Sequence, residues 1–171
     1  MKNRVKIVSI VLMITVMFLI YKIAYPRGLR SFDFKEFDQK HHTTLEGSGY
    51  RYDGQPVPGV YLFRGAQNGL GYATVTVYDV DSAVVGEDQP ASDILEKSEK
   101  TLLFLPSTVI LYRGFDSKGE TYCPSFKAYF SREGCFYVLW INYNDTYTKS
   151  DTVINDKDIT YIEQYLKGIF P

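Results

Sequence analysis

The side chains able to do chemistry are few and far apart. Cys123 and Cys135 stand at either end of the stretch CPSFKAYFSREGC, inside a run crowded with aromatic rings, and the only histidines are the adjacent His41 and His42. Carboxylates gather at Asp79-Val-Asp81 and Glu87-Asp88. A serine or cysteine nucleophile needs a base, most often histidine, within hydrogen-bond reach. His41 and His42 fall in a polar stretch ahead of the strand-like sequence, so they read as solvated linker. Neither a GxSxG elbow nor an HExxH helix occurs. The segment VDSAVVGEDQ lacks the regular oxygen offsets of a calcium loop. GSGY at 47–50 and GAQNGLGY at 65–72 lack the GxxxxGK[ST] pattern and read as turn glycines. The expectation is therefore a chain that is not an enzyme, with no catalytic residue, metal or cofactor. A carboxylate pair could still assemble from anywhere in the fold. A carboxylate-dependent envelope hydrolase stays as a lesser alternative, with Asp79 and Asp81 as its nominees.

Tyrosine is what rises above background, with fifteen Tyr and eleven Phe against one Trp. Tyrosine buries an apolar body while its hydroxyl reaches water, and exposed clusters of it favour binding interfaces. Tyr61, Tyr143 and Tyr147, with Asp79 and Asp81, are the expected partner-binding residues. Charge points the same way. Residues 1–30 hold six cations and no acid, leaving 13 basic against 20 acidic residues beyond them, a net of -7. Such a surface is unsuited to nucleic acid, whose phosphates need clustered Lys and Arg. It suits a basic protein partner such as a basic toxin.

These residues must be placed in a compartment. Three cations precede an apolar run from Ile7 to Tyr21. A helix over 7–25 would be about 28 Å long at ~1.5 Å per residue, close to the thickness of a bilayer's hydrocarbon core. Lys22 can snorkel to the headgroups, and Tyr21 and Tyr25 suit the interface. A cleaved signal peptide has a similar opening, but Lys22-Ile23-Ala24 puts a charge where a small residue should precede the cut. Residues 1–25 are thus expected to be an uncleaved, single-pass signal anchor, residues 26–47 a juxtamembrane connector, and residues 48–171 an extracytoplasmic domain. Lys2, Arg4 and Lys6 are matched by Lys22, Arg27 and Arg30, so flanking charge settles the orientation only weakly. The domain that follows lacks a second span. It is placed in the periplasm, with the N-terminus in the cytoplasm.

The elements follow from periodicity and punctuation. Phe32, Phe34 and Phe37 could form a helix too short to stand alone in water. YRY and VYLFR are strand-like runs bounded by Asp53-Gly54, Pro58-Gly59 and Asn68-Gly69. Leu70 to Val80 alternates cleanly, with Ala73, Val75 and Val77 on one side. Ser92 or Asp93 can cap a helix running to about Leu103. TVILYRGF, ETYCPSFKAYF and CFYVLWINY, separated by connectors ending in Gly119 and Gly134, read as a three-stranded meander. A final helix from about Asp156 to Phe170 carries Ile159, Ile162, Leu166 and Ile169 on one stripe, with Asn155 or Asp156 as cap. The fold class is α+β: an N-terminal transmembrane helix, then one small domain with a mainly antiparallel sheet and a C-terminal packing helix.

Cys123 and Cys135 test this layout. In an oxidising compartment they are a candidate disulfide. If Ser131–Gly134 is a hairpin turn, however, strand geometry holds them on the order of 23 Å apart, against the roughly 5.5 Å between Cα atoms that a bridge needs. Pro124 could instead start a short helix that returns the chain. The hairpin with buried thiols is preferred. Together these features favour a membrane-anchored protein-binding module, specifically an immunity protein neutralising a toxin, by analogy of architecture. A structural subunit of an envelope assembly is the alternative.

Overall fold

Small and β-branched side chains alternate through GYATVTVY, and the strand they make sits near the middle of the sheet. A computed structural model describes residues 13–17, 33–45, 48–67, 71–84, 90–114, 119, 123–142 and 147–170. The chain divides into two compact units, Met1–Asp33 and Phe34–Pro171. In the first, residues 13–17 are helical. No helix among the described residues is long and apolar enough to cross a membrane. The rest of the expected span over 7–25 lies outside the described residues.

The second unit is an α+β domain with one seven-stranded antiparallel sheet. Helix α1 (Phe34–His41) precedes strands β1 (Tyr50–Val57), β2 (Val60–Gln67), β3 (Gly71–Tyr78), β4 (Ile94–Leu102), β5 (Leu105–Tyr112), β6 (Ser125–Arg132) and β7 (Cys135–Ile141). Helix α2 (Asp156–Leu166) follows. The strand order is β1-β2-β3-β7-β6-β5-β4. Two meanders are thus joined by a crossover from β3 to the far edge, and β7 returns to pair with β3.

Register sorts the side chains into two faces. Phe63, Val75 and Leu139 align across β2, β3 and β7, and Ala128 and Val109 continue the row through β6 and β5. All five are buried. Each such side chain stabilises the fold by ~1.5–3 kcal/mol on full burial when it is a Val, Leu or Phe. Both helices cover this face. Phe37 of α1 packs against Tyr61 and Phe63, and Tyr161 of α2 against Phe126. The chain end follows α2, with Phe170 against Phe130 and Tyr137.

Helix α2 forms as its sequence indicates. Asn155 accepts hydrogen bonds from the Lys157 and Asp158 amides, and Asp158 accepts one from the Asn155 amide. This reciprocal cap satisfies amides that have no partner within the helix. The β6–β7 hairpin also forms, with a tighter turn than expected. Glu133 and Gly134, at φ 50° and 77°, make a two-residue turn, and Arg132 pairs with Cys135. Nine residues separate Cys123 from Arg132, or on the order of 30 Å of strand. The candidate disulfide is accordingly absent: both cysteines are buried and unbridged.

Two expectations are overturned. The helix from Ser92 or Asp93 to Leu103 is strand β4, preceded by a short 3-10 turn at Ala91–Asp93. Lys97, Glu99 and Thr101 take exposed alternate positions, and charged residues of this kind protect an edge strand. The connector is not wholly solvated linker either. Phe34–His41 is helical, with Phe37 and His41 buried, and Leu45 lies in the core. A backbone hydrogen bond from Thr44 to Ile169 fixes this segment to the C-terminal end.

Candidate functional site

One end of the sheet collects the residues whose types could do chemistry. The β3–β7 register pairs Tyr78 with Phe136, which puts Asp79, just past β3, beside Cys135, the first residue of β7. The final turn of α1 brings His41 to the same place. Its spacing from Phe34 and Phe37 is that of one helical face, and its ring lies 4.5 Å from that of Phe37. Cys135 Sγ is 3.1 Å from His41 Nδ1 and 3.9 Å from Asp79 Oδ1. Lys40 donates to both oxygens of Asp79, at 2.8 and 2.9 Å. Around this group His42 pairs with Glu133, and Ser131 donates to the Asp81 carbonyl, holding residues 79–81 beside the β6–β7 turn.

Burial sets the protonation of the central pair. Desolvation, aided by the Lys40 charge, holds His41 below the usual histidine range. Desolvation, then the Asp79 charge, pushes the Cys135 thiol up to about 11. A neutral imidazole beside a protonated thiol is the reverse of the thiolate–imidazolium pair of cysteine hydrolases. Cys135 is also fully enclosed. The pair is therefore poorly set up as a nucleophile, but His41, Asp79 and Cys135 each offer one donor atom, and these atoms lie within 4.8 Å of one another.

A second feature occupies the face away from α1 and α2. Tyr78, Phe136 and Tyr129 run in ring contact across β3, β7 and β6, with centroids 6.1 and 6.3 Å apart. All three are half-buried. Phe136 and Tyr129 border an open groove of about 490 Å³ whose walls also include Thr108, Lys97 and Glu99. Glu99 accepts a hydrogen bond from Thr108 across the β4–β5 pair. Beyond the groove, Lys127 sits over the Trp140 ring at 4.7 Å, and Trp140 donates to Ser125.

The residues expected to bind a partner do not share one surface. Tyr61 is on the helix-covered face beside Phe37. Tyr147 stacks on Tyr161 at 4.0 Å and donates to Asp158. Between Tyr61 and the Phe126 ring that Tyr147 also touches lie three strand spacings and four residues of register, on the order of 20 Å. Asp79 belongs to the cluster with Lys40, while Asp81 is exposed at the same end. Tyr143 lies outside the described residues. The sequence reading places His41 in a solvated linker and takes Cys135 as a candidate disulfide or buried thiol, and it passes over Tyr129 and Phe136 as site residues. The helical spacing of Phe34, Phe37 and His41 was the signal for the first. No family model, characterised protein or solved structure matches this chain.

Proposed function

We propose that this chain is a membrane-anchored, extracytoplasmic protein-binding module whose partner docks on the aromatic strip of the sheet face away from the helices. The contiguous row of Tyr78, Phe136 and Tyr129 carries this reading. Aromatic side chains supply a large share of interface energy when water is excluded from them. Here they are partly exposed beside a groove rimmed by Lys97 and Glu99. The net charge of -7 beyond residue 30 favours a basic partner, whose approach it would accelerate. The apolar run ahead of Lys22 supports tethering at the cytoplasmic membrane, with the domain in the periplasm. Within this class, the specific form proposed is an immunity protein that neutralises a basic toxin.

The test is capture of a partner from envelope extract by the full chain and by a Phe136→Asp variant. The expected result is one stoichiometric, basic protein held by the wild type and bound at least ~30-fold more weakly by Phe136→Asp, as for a central aromatic anchor. Absence of any stoichiometric protein, or equal retention by the variant, would contradict the proposal. Exchange of residues 1–25 for an unrelated anchor should leave binding intact. Loss of binding on that exchange would favour a structural subunit of an envelope assembly.

A further inference from the structure

We infer that His41, Asp79 and Cys135 form a binding site for a zinc-class divalent cation, with one coordination position left for solvent or an external ligand. The three donors come from separate parts of the chain: the last turn of α1, the residue after β3 and the first residue of β7. Imidazole nitrogen, thiolate sulfur and carboxylate oxygen are the ligand types zinc prefers. Bond lengths of ~2.0–2.3 Å in tetrahedral arrangement place ligand atoms ~3.3–3.6 Å apart. The observed separations of 3.1 Å for sulfur to Nδ1 and 3.9 Å for sulfur to Oδ1 bracket that range. The imidazole and carboxylate donors lie within 4.8 Å of each other, so the part-exposed Asp79 carboxylate would swing inward by up to about an ångström to seat the ion.

Access and orientation also fit. His41 and Cys135 are buried, whereas the Asp79 side chain is 34% exposed and Lys40 58% exposed. The ion would enter from the Asp79 side, and the Lys40 ammonium, now on that carboxylate, can swing into water. As the metal–sulfur bond forms, the thiol proton leaves to solvent. Cys123 takes no part, being at the far end of β6. The bound cation would staple α1 to the sheet at the end where the Asp79–Asp81 segment and the β6–β7 turn meet.

The experiment is titration of the full-length, detergent-solubilised and metal-free chain with Co²⁺, read by thiolate-to-cobalt charge-transfer absorption. The expected result is a band that saturates at one equivalent and is displaced by Zn²⁺. Cys135→Ser should lose it, and Cys123→Ser should keep it. Two substitutions at the exposed rim guard against misfolding of the buried one. Asp79→Asn should bind at least ~10-fold more weakly. Lys40→Met should bind roughly two- to fivefold more tightly, because the competing cation is gone. No band at excess Co²⁺, a band that survives Cys135→Ser, or indifference of binding to both Asp79→Asn and Lys40→Met would overturn the inference. The contact would then be a thiol–imidazole hydrogen bond that pins α1.

Discussion

At the α2 end of the helix-covered face, Asp158 and Lys149 are both buried and paired at 2.7 Å. Lys149 also reaches Asp151, Tyr147 donates to Asp158, and Asp158 closes the cap of α2. At the α1 end, His41 and Cys135 are equally buried but neutral, and the charged pair beside them, Lys40 with Asp79, is open to water. The first cluster spends both carboxylate oxygens of Asp158 on holding a helix and a loop. The second holds a helix with one thiol–imidazole contact and leaves a carboxylate at the surface. Polar groups buried on one face of one sheet thus serve as a closed clamp in one place and as an addressable site in the other.

The largest test of that contrast is Asp158→Ala. Removing Asp158 leaves the buried Lys149 to the exposed Asp151, strands the Tyr147 hydroxyl and opens the α2 cap, and should cost ~3–5 kcal/mol in denaturant unfolding. A loss below ~1 kcal/mol would remove the distinction. Next is Tyr147→Phe, which deletes a hydrogen bond to a buried carboxylate and should cost about 1.5 kcal/mol. This variant also reports on pH. Burial, then the bond to Asp158, raises the Tyr147 pKa. For Lys149 burial pulls the other way, but hydrogen bonds to Asp151 and Asp158 outweigh it and the net shift is upward. Groups raised in the folded state keep their protons after the unfolded chain has lost its own, so their stabilisation is complete below about pH 10 and fades above it. The wild type should lose stability as pH rises from about 10, and Tyr147→Phe should lose less over that interval. The smallest effect is Lys40→Met in metal-free solution, where an exposed ion pair contributes under ~1 kcal/mol.

Much of the sheet and of α2 was legible in the sequence, and little of the clamp or of the site. Asn155 and the Ile162, Leu166, Ile169 stripe announce α2, and the Ala73, Val75, Val77 alternation announces β3. Strand β4 was misread because Ile94, Leu95 and Leu102 also fit a helical stripe. Its closing turn, Leu103-Phe104, has positive φ at both residues without Gly or Asn. Only Lys97, Glu99 and Thr101 on alternate positions marked the strand. The site needed the pairing of β3 with β7, two strands 56 residues apart at Asp79 and Cys135. No local pattern encodes that pairing, so two residues of opposite expected fate, a loop acid and a core thiol, could not be seen as neighbours. The aromatic strip is hidden for the same reason, since Tyr78 and Phe136 meet through that same register.

X-ray absorption at the zinc edge of the full chain loaded with one equivalent of Zn²⁺ tests the contrast most directly. The expected spectrum has one sulfur neighbour at ~2.3 Å with the remaining nitrogen and oxygen neighbours at ~2.0–2.2 Å, a pattern unchanged by Tyr147→Phe and stripped of its sulfur by Cys135→Ser. A shell of nitrogen and oxygen alone in the wild type would contradict it.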